Sequence, residues 1–174
     1  MGLVSKKICL IGDFNVGKTS LIRRFIDREF SDRYLSTVGV KISRKKVEVT
    51  SKDRTVQLLI WDLEGSTKYK RVAPSYLQGA SGALVVADIT RKESMEHLPQ
   101  HIQTFTNINP QGKAIVALNK SDLTNSELEE KYISYIQTFP EVARAIASYT
   151  SSAKTGVNVD EMFLQLATHI LDGK

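Results

Sequence analysis

The stretch Gly12-Asp13-Phe14-Asn15-Val16-Gly17-Lys18-Thr19 fits G-x-x-x-x-G-K-[ST], a pattern that carries meaning only between a strand and a helix. Both flanks qualify. Ile8-Cys9-Leu10-Ile11 before it is a short apolar run suited to a buried strand, and Leu21, Ile22, Phe25 and Ile26 after it recur at helical spacing. A loop turning into a helix N-terminus aims unpaired backbone N–H groups and the positive end of the helix dipole at one point. The stretch therefore reads as a phosphate cradle. Lys18 adds a full positive charge near the β- and γ-phosphates, and the Thr19 hydroxyl is placed to bind the Mg²⁺ that neutralises the rest.

Outward from the cradle, residues 30–39 are polar and aperiodic, a loop longer than a connection needs. Val40, Ile42, Val47 and Val49 suggest a strand with an exposed basic middle; a turn at Ser51-Lys52-Asp53 leads to a second strand over 56–61, making a hairpin. Asp62-Leu63-Glu64-Gly65 closes that strand, and a second irregular polar stretch runs from Ser66 to about Ala73. The continuous apolar runs 83–87 and 114–118 suit central parallel strands buried on both faces. Met95, Leu98, Ile102 and Phe105 follow a helical period, with Pro99 marking a kink or a helix start. Ser126-Glu127-Leu128-Glu129 reads as a capping box opening a helix with Leu128, Tyr132, Ile133 and Ile136 on one side. A last strand at 146–150 precedes a helix opening at Asn158 that buries Val159, Met162, Phe163, Leu166 and Ile170. Strands alternating with helices, apart from one hairpin, predict an α/β fold: an open, mostly parallel sheet covered on both faces, with ligands at the carboxyl ends of its strands.

At 174 residues, with 41% hydrophobic and 25% charged side chains, the composition suits a single domain over 1–174. Cys9 is the only cysteine, so no disulfide framework forms and a reducing, cytoplasmic setting is expected. No apolar run approaches the roughly 20 residues of a membrane span, and the N-terminus lacks a signal-peptide stretch. Met1-Gly2 hints at myristoylation, but Lys6 stands where the pattern wants Ser or Thr, and Asp172-Gly173-Lys174 offers no cysteine to prenylate. Membrane attachment is left open. The net charge of +5 is scattered in small clusters without interleaved aromatics, which favours protein partners over nucleic acid.

Every remaining polar cluster falls at a strand end. Asp62 follows an apolar strand and can hold Mg²⁺; its alternative is a turn residue. Asn119-Lys120-Ser121-Asp122 suits guanine, whose ring N–H and exocyclic amine both donate to one carboxylate. At Ser152-Ala153-Lys154 a backbone N–H can reach the guanine carbonyl while the lysine stem packs on the base. An ATP-using kinase or ATPase does not fit Asn119 to Asp122.

In this order, G-x-x-x-x-G-K-T, a threonine after the first helix, D-x-x-G, N-K-x-D and S-A-K resemble the Ras superfamily of small GTPases, most closely its Rab-like branch, over essentially the whole chain. The resemblance implies the P-loop NTPase, small G-protein fold, with a six-stranded sheet carrying one antiparallel edge strand. It implies GTP or GDP and Mg²⁺ as ligands, with Asn15, Val16, Gly17, Lys18, Thr19 and Ser20 wrapping the phosphates. Phe30 would pack against the base, Tyr34 fold over the phosphates, and Asn119, Lys120, Asp122, Ser152, Ala153 and Lys154 hold the guanine. Thr19, Thr37 and Asp62 would serve the metal. Thr37 and the Gly65 N–H would sense the γ-phosphate, and its loss would release two switch loops, about 30 to 40 and 62 to 76, that effectors, an exchange factor and an activating protein read. Lys18, Thr37, Gly65 and Ser66 are the implied catalytic positions.

Two residues depart from the family pattern. Ser66 stands where a glutamine usually orients the attacking water, and it is shorter by two carbon–carbon bonds, about 2.5 Å of reach. Phe14 replaces a small residue and would project a ring toward the γ-phosphate. Both point to slow hydrolysis with nucleotide binding intact; a module that holds GTP almost permanently as a scaffold is the alternative. Glu64 sets a carboxylate near a polyanion and needs solvent or a cation, for which Arg33, Lys68, Lys70 and Arg71 are candidates. One of those could act as an arginine finger in cis, although solvent-facing basic residues are the simpler account.

Overall fold

The structure is a computed structural model describing residues 2–33, 37–67 and 70–172. The strands are β1 (Gly2–Gly12), β2 (Val40–Val49), β3 (Arg54–Leu63), β4 (Gly82–Asp88), β5 (Lys113–Asn119) and β6 (Ala147–Thr150). They form one six-stranded sheet in the order β2-β3-β1-β4-β5-β6, parallel throughout except for the antiparallel β2–β3 pair. This is the expected sheet, with the hairpin's outer strand at one edge. β2 keeps Arg44 and Lys46 exposed, which suits an edge that must not pair with other chains.

The helices are α1 (Lys18–Asp27), α2 (Pro74–Leu77), α3 (Lys92–Glu96), α4 (Leu98–Ile108), α5 (Ser126–Ile136), α6 (Pro140–Ala143) and α7 (Val159–Ile170). The pleat of the sheet separates two cores. Ile8 and Leu10 of β1 face α1 and α7, where Phe25 and Phe163 stack with ring centroids 4.0 Å apart. Cys9 and Ile11 face the opposite core, with Met95, Leu98, Ile102 and Phe105. All seven residues of β4 are buried, as a central strand covered on both faces requires.

The structure differs from expectation at three places. β1 begins well before its apolar run, because β3 offers a hydrogen-bonding edge from Arg54 onward and the ladder extends along it. Pro99 takes the second of its two expected roles, a helix start, in the first turn of α4, since its ring is compatible with the first turn and its missing N–H is not needed there. Asn158 precedes α7 in the left-handed region, φ 60°, and its side chain donates to the Thr150 carbonyl 2.7 Å away instead of capping the helix. The cap of α5 is Asn125, whose side-chain oxygen accepts from the Leu128 N–H at 3.0 Å, while Glu129 accepts from the Thr150 hydroxyl. The capping box on Ser126 is thereby corrected by one residue. Asn125→Ala is expected to lower unfolding free energy by about 1 kcal/mol and Ser126→Ala by less, measured by urea denaturation.

Candidate functional site

The strand order reverses at β1, so the loops after β1, β3, β4 and β5 open at one end of the sheet. The cradle leaves β1 at Gly12, where a side chain would strike the Val86 carbonyl oxygen at 2.3 Å, and enters α1 through Gly17 at φ 97°. A side chain at Gly17 would meet the Asn119 amide at 2.4 Å, so both glycines are needed to let neighbouring loops close on the cradle. A cleft of about 380 Å³ lies over it, lined from the cradle by Phe14, Asn15, Gly17, Lys18, Thr19 and Ser20. Phe30, Thr37, Gly65, Asn119, Lys120, Asp122, Ala153 and Lys154 complete the lining, so most residues singled out in the sequence meet at one place. Tyr34 and Lys68 lie outside the described residues.

Inside the cleft, the Lys18 ammonium donates to the carbonyls of Gly12 at 3.1 Å and Asp13 at 3.0 Å. Burial pushes it down to about 8, against the pull of the Asp62 and Asp13 carboxylates. The Thr19 hydroxyl donates to Asp62 Oδ2 at 2.6 Å, and the Thr37 hydroxyl lies 2.7 Å from that of Thr19 and 3.2 Å from the same oxygen. Asp62 Oδ1 is buried without a hydrogen-bond partner among the described residues. Burial raises the Asp62 carboxyl, and the Thr19 hydroxyl and Lys18 oppose it. Two hydroxyls and a carboxylate with an unspent oxygen form a hard-oxygen donor set that fits Mg²⁺.

At the other end, Ser152 Oγ accepts from the Thr155 N–H at 3.1 Å and donates to Asp122 Oδ1 at 2.7 Å, fixing that carboxylate. Asn119 spends its amide beneath the cradle, donating to the Val16 carbonyl at 3.0 Å and accepting from Ser151 at 3.2 Å. Lys120 reaches the Asn15 carbonyl at 2.9 Å and Asp88 at 3.0 Å, so both residues brace the phosphate loop. The lip carrying Ala153 and Lys154 is tied to α1 by Arg24, which donates to both carbonyls.

Ser66 is placed differently from the other candidates. Its N–H donates to the Gly12 carbonyl at 3.1 Å and its carbonyl accepts from the Phe14 N–H at 2.9 Å, a bridge that straps the second loop to the cradle. It lines a separate cavity, of about 720 Å³, between that loop and α4. Phe14, 44% exposed, does line the cleft, and its backbone packs so closely on Gly65 that a side chain there would come within 2.5 Å of the Phe14 Cα. Glu64 finds its cation in Lys70 at 2.8 Å and accepts from the Gly39 N–H at 3.3 Å, joining the two loops. Those bonds, Lys70 first, hold its carboxyl below the usual range.

Four contacts around the cradle went unread in the sequence. Asp13 accepts from His97 Nδ1 at 2.6 Å and His101 Nε2 at 2.7 Å, and Arg91 donates to the Phe14 carbonyl at 2.8 Å and the Asn15 carbonyl at 3.3 Å. The only available signal was the four-residue spacing of the histidines, which sets them on one helix face.

A family model described as the Ras family matches residues 7–172. The chain is also 34% identical over 169 residues to the GTP-binding protein YPTM1 of Zea mays, an alignment covering 97% of this chain and 79% of that protein.

Proposed function

The chain belongs to the Ras family, and on that premise we propose that it is a guanine-nucleotide switch, one domain holding GTP or GDP with Mg²⁺ and hydrolysing GTP slowly. The observation that carries this reading is Asp62 Oδ1, which has no hydrogen-bond partner among the described residues and lies buried beside the Thr19 and Thr37 hydroxyls at the mouth of the phosphate cradle. A buried carboxylate oxygen without a donor is costly unless a cation or its water completes it. Thr19, Thr37 and Asp62 are the residues that would hold Mg²⁺, which when bound supplies charge neutralisation at the phosphates. Lys18 meets the same phosphates from the loop side, and Asn15 to Ser20 offer backbone N–H groups.

Phe30 and the Lys154 stem flank the base, and Asp122 accepts from its two donors. Thr37 and Gly65 couple the nucleotide to the two loops, whose exposed surfaces effectors, an exchange factor and an activating protein would read. Among the described residues no helix is long and apolar enough to cross a membrane; the cytoplasm is the proposed setting.

Hydrolysis is slow in this reading because Ser66 does not supply what the missing glutamine would. Ser66 is short, its backbone is held by Gly12 and Phe14, and Lys70 is engaged by Glu64. Nucleotide released by denaturing the purified protein should chromatograph as guanosine phosphates. Single-turnover hydrolysis at saturating Mg²⁺ is expected below roughly 10⁻⁴ per second. Adenine nucleotide, or a rate equal to that of ordinary family members, would overturn the reading.

A further inference from the structure

Asp13 faces two ways. Its carbonyl accepts from the Lys18 ammonium at the floor of the cleft, and its carboxylate, outside the cleft, is gripped by His97 just before α4 and His101 within it. The carboxylate is 10% exposed and the His101 side chain 11%, while the His97 side chain is 42% exposed, so the junction is closed on the His101 side and open to solvent on the His97 side. Burial alone would push the Asp13 carboxyl up, yet the hydrogen bonds from His101 and His97 hold it below its usual range. With the carboxylate ionised, each imidazole serves as an N–H donor.

The charges that face this junction come from every neighbouring element. Lys18 approaches from α1, Arg71 from the second loop, Arg91 from the turn after β4 and Glu93 from α3. Arg91 fixes the next two carbonyls of the cradle, and the Asp13 charge is felt by Lys18. A negative carboxylate so close to a phosphate site is unfavourable unless it is compensated, and imidazole is the side chain that gains a proton between pH 8 and 5. Protonation strengthens the grip by making the hydrogen bonds fully ionic, and it lowers negative charge beside the phosphates. Both effects retain an anion better at lower pH.

We infer that His97 and His101 are positioning residues of the nucleotide site, acting through Asp13 to hold the phosphate loop and Lys18 in place and to make nucleotide retention rise as pH falls. The inference rests on the proposed guanine-nucleotide binding. It does not involve the metal-facing groups.

The test is release of a fluorescent GDP analogue from the full chain with Mg²⁺, by stopped flow between pH 8 and 5.5. Release from the unmodified protein should slow roughly fivefold across that range, the difference between neutral and charge-assisted bonds. His97→Ala with His101→Ala should release faster at every pH, roughly tenfold at pH 8 and by a wider margin at pH 5.5, where the unmodified protein has slowed. His97→Asn with His101→Gln, which places amide N–H groups where Nδ1 and Nε2 lie, should rescue slow release relative to the alanine pair but lose the pH slope. An amide pair that keeps the slope, or an alanine pair that releases at the unmodified rate, overturns the inference. If the chain binds no guanine nucleotide, the functional reading fails, and the junction is still read by ¹⁵N NMR. The Phe14 and Asn15 amide shifts should then follow pH in the unmodified chain and not in the amide pair, and shifts that ignore pH in the unmodified chain overturn it.

Discussion

Asp122→Asn is expected to cut GTP affinity on the order of 10³-fold while raising affinity for xanthosine triphosphate, measured by competition against a labelled guanine nucleotide. The carboxylate presents two acceptors to two donors on the base. The structure adds a reason why one amide orientation is favoured. Ser152 Oγ accepts from the Thr155 N–H and donates to Asp122 Oδ1, and the oxygen of an asparagine turned toward Ser152 keeps that bond. The amide NH₂ would then face the base, repelling the guanine donors and meeting the xanthine carbonyl. GTP affinity unchanged by the substitution would remove the base site from this end of the cleft.

The second large effect is a gain. Phe14→Gly combined with Ser66→Gln is expected to raise single-turnover GTP hydrolysis roughly 100-fold, the scale of one well-placed group in a transition state. Ser66→Gln alone should do far less. The bridge from Ser66 to Gly12 and Phe14 places residue 66 against the cavity beside α4, and the Phe14 ring occupies the cleft side. Removing the ring opens space for the glutamine amide and loosens the cradle that fixes the bridge. If the double variant hydrolyses GTP no faster than the unmodified protein, neither residue limits the reaction.

The same two residues mark how far reading the chain could go. Ser66 was recognisable as a departure because it sits at a set distance from Asp62 in a short local pattern. Which cavity it lines depends on a backbone pairing with residues more than fifty positions earlier, and no local pattern encodes that. Asn119 is similar: its place after a buried strand was plain, but its use as a brace under Val16 follows from how closely Gly17 lets two loops approach. Glu64 was visibly in need of a cation. Which of several nearby bases would meet it was settled by the path of the loop, and the answer is Lys70.

The fold was legible because its signals are local and redundant: continuous apolar runs for buried parallel strands, a helical period between them, glycines where the cradle turns. Each such element must bury its own surface, so its pattern survives in the order of residues alone. Identities at the cleft were legible for the same reason, since each polar group ends its own strand. The junction of Asp13 with His97 and His101 had no such signature. It exists only because α4 docks beside β1 and delivers two imidazoles to a carboxylate more than eighty residues earlier, and packing of that kind is decided by the whole core at once.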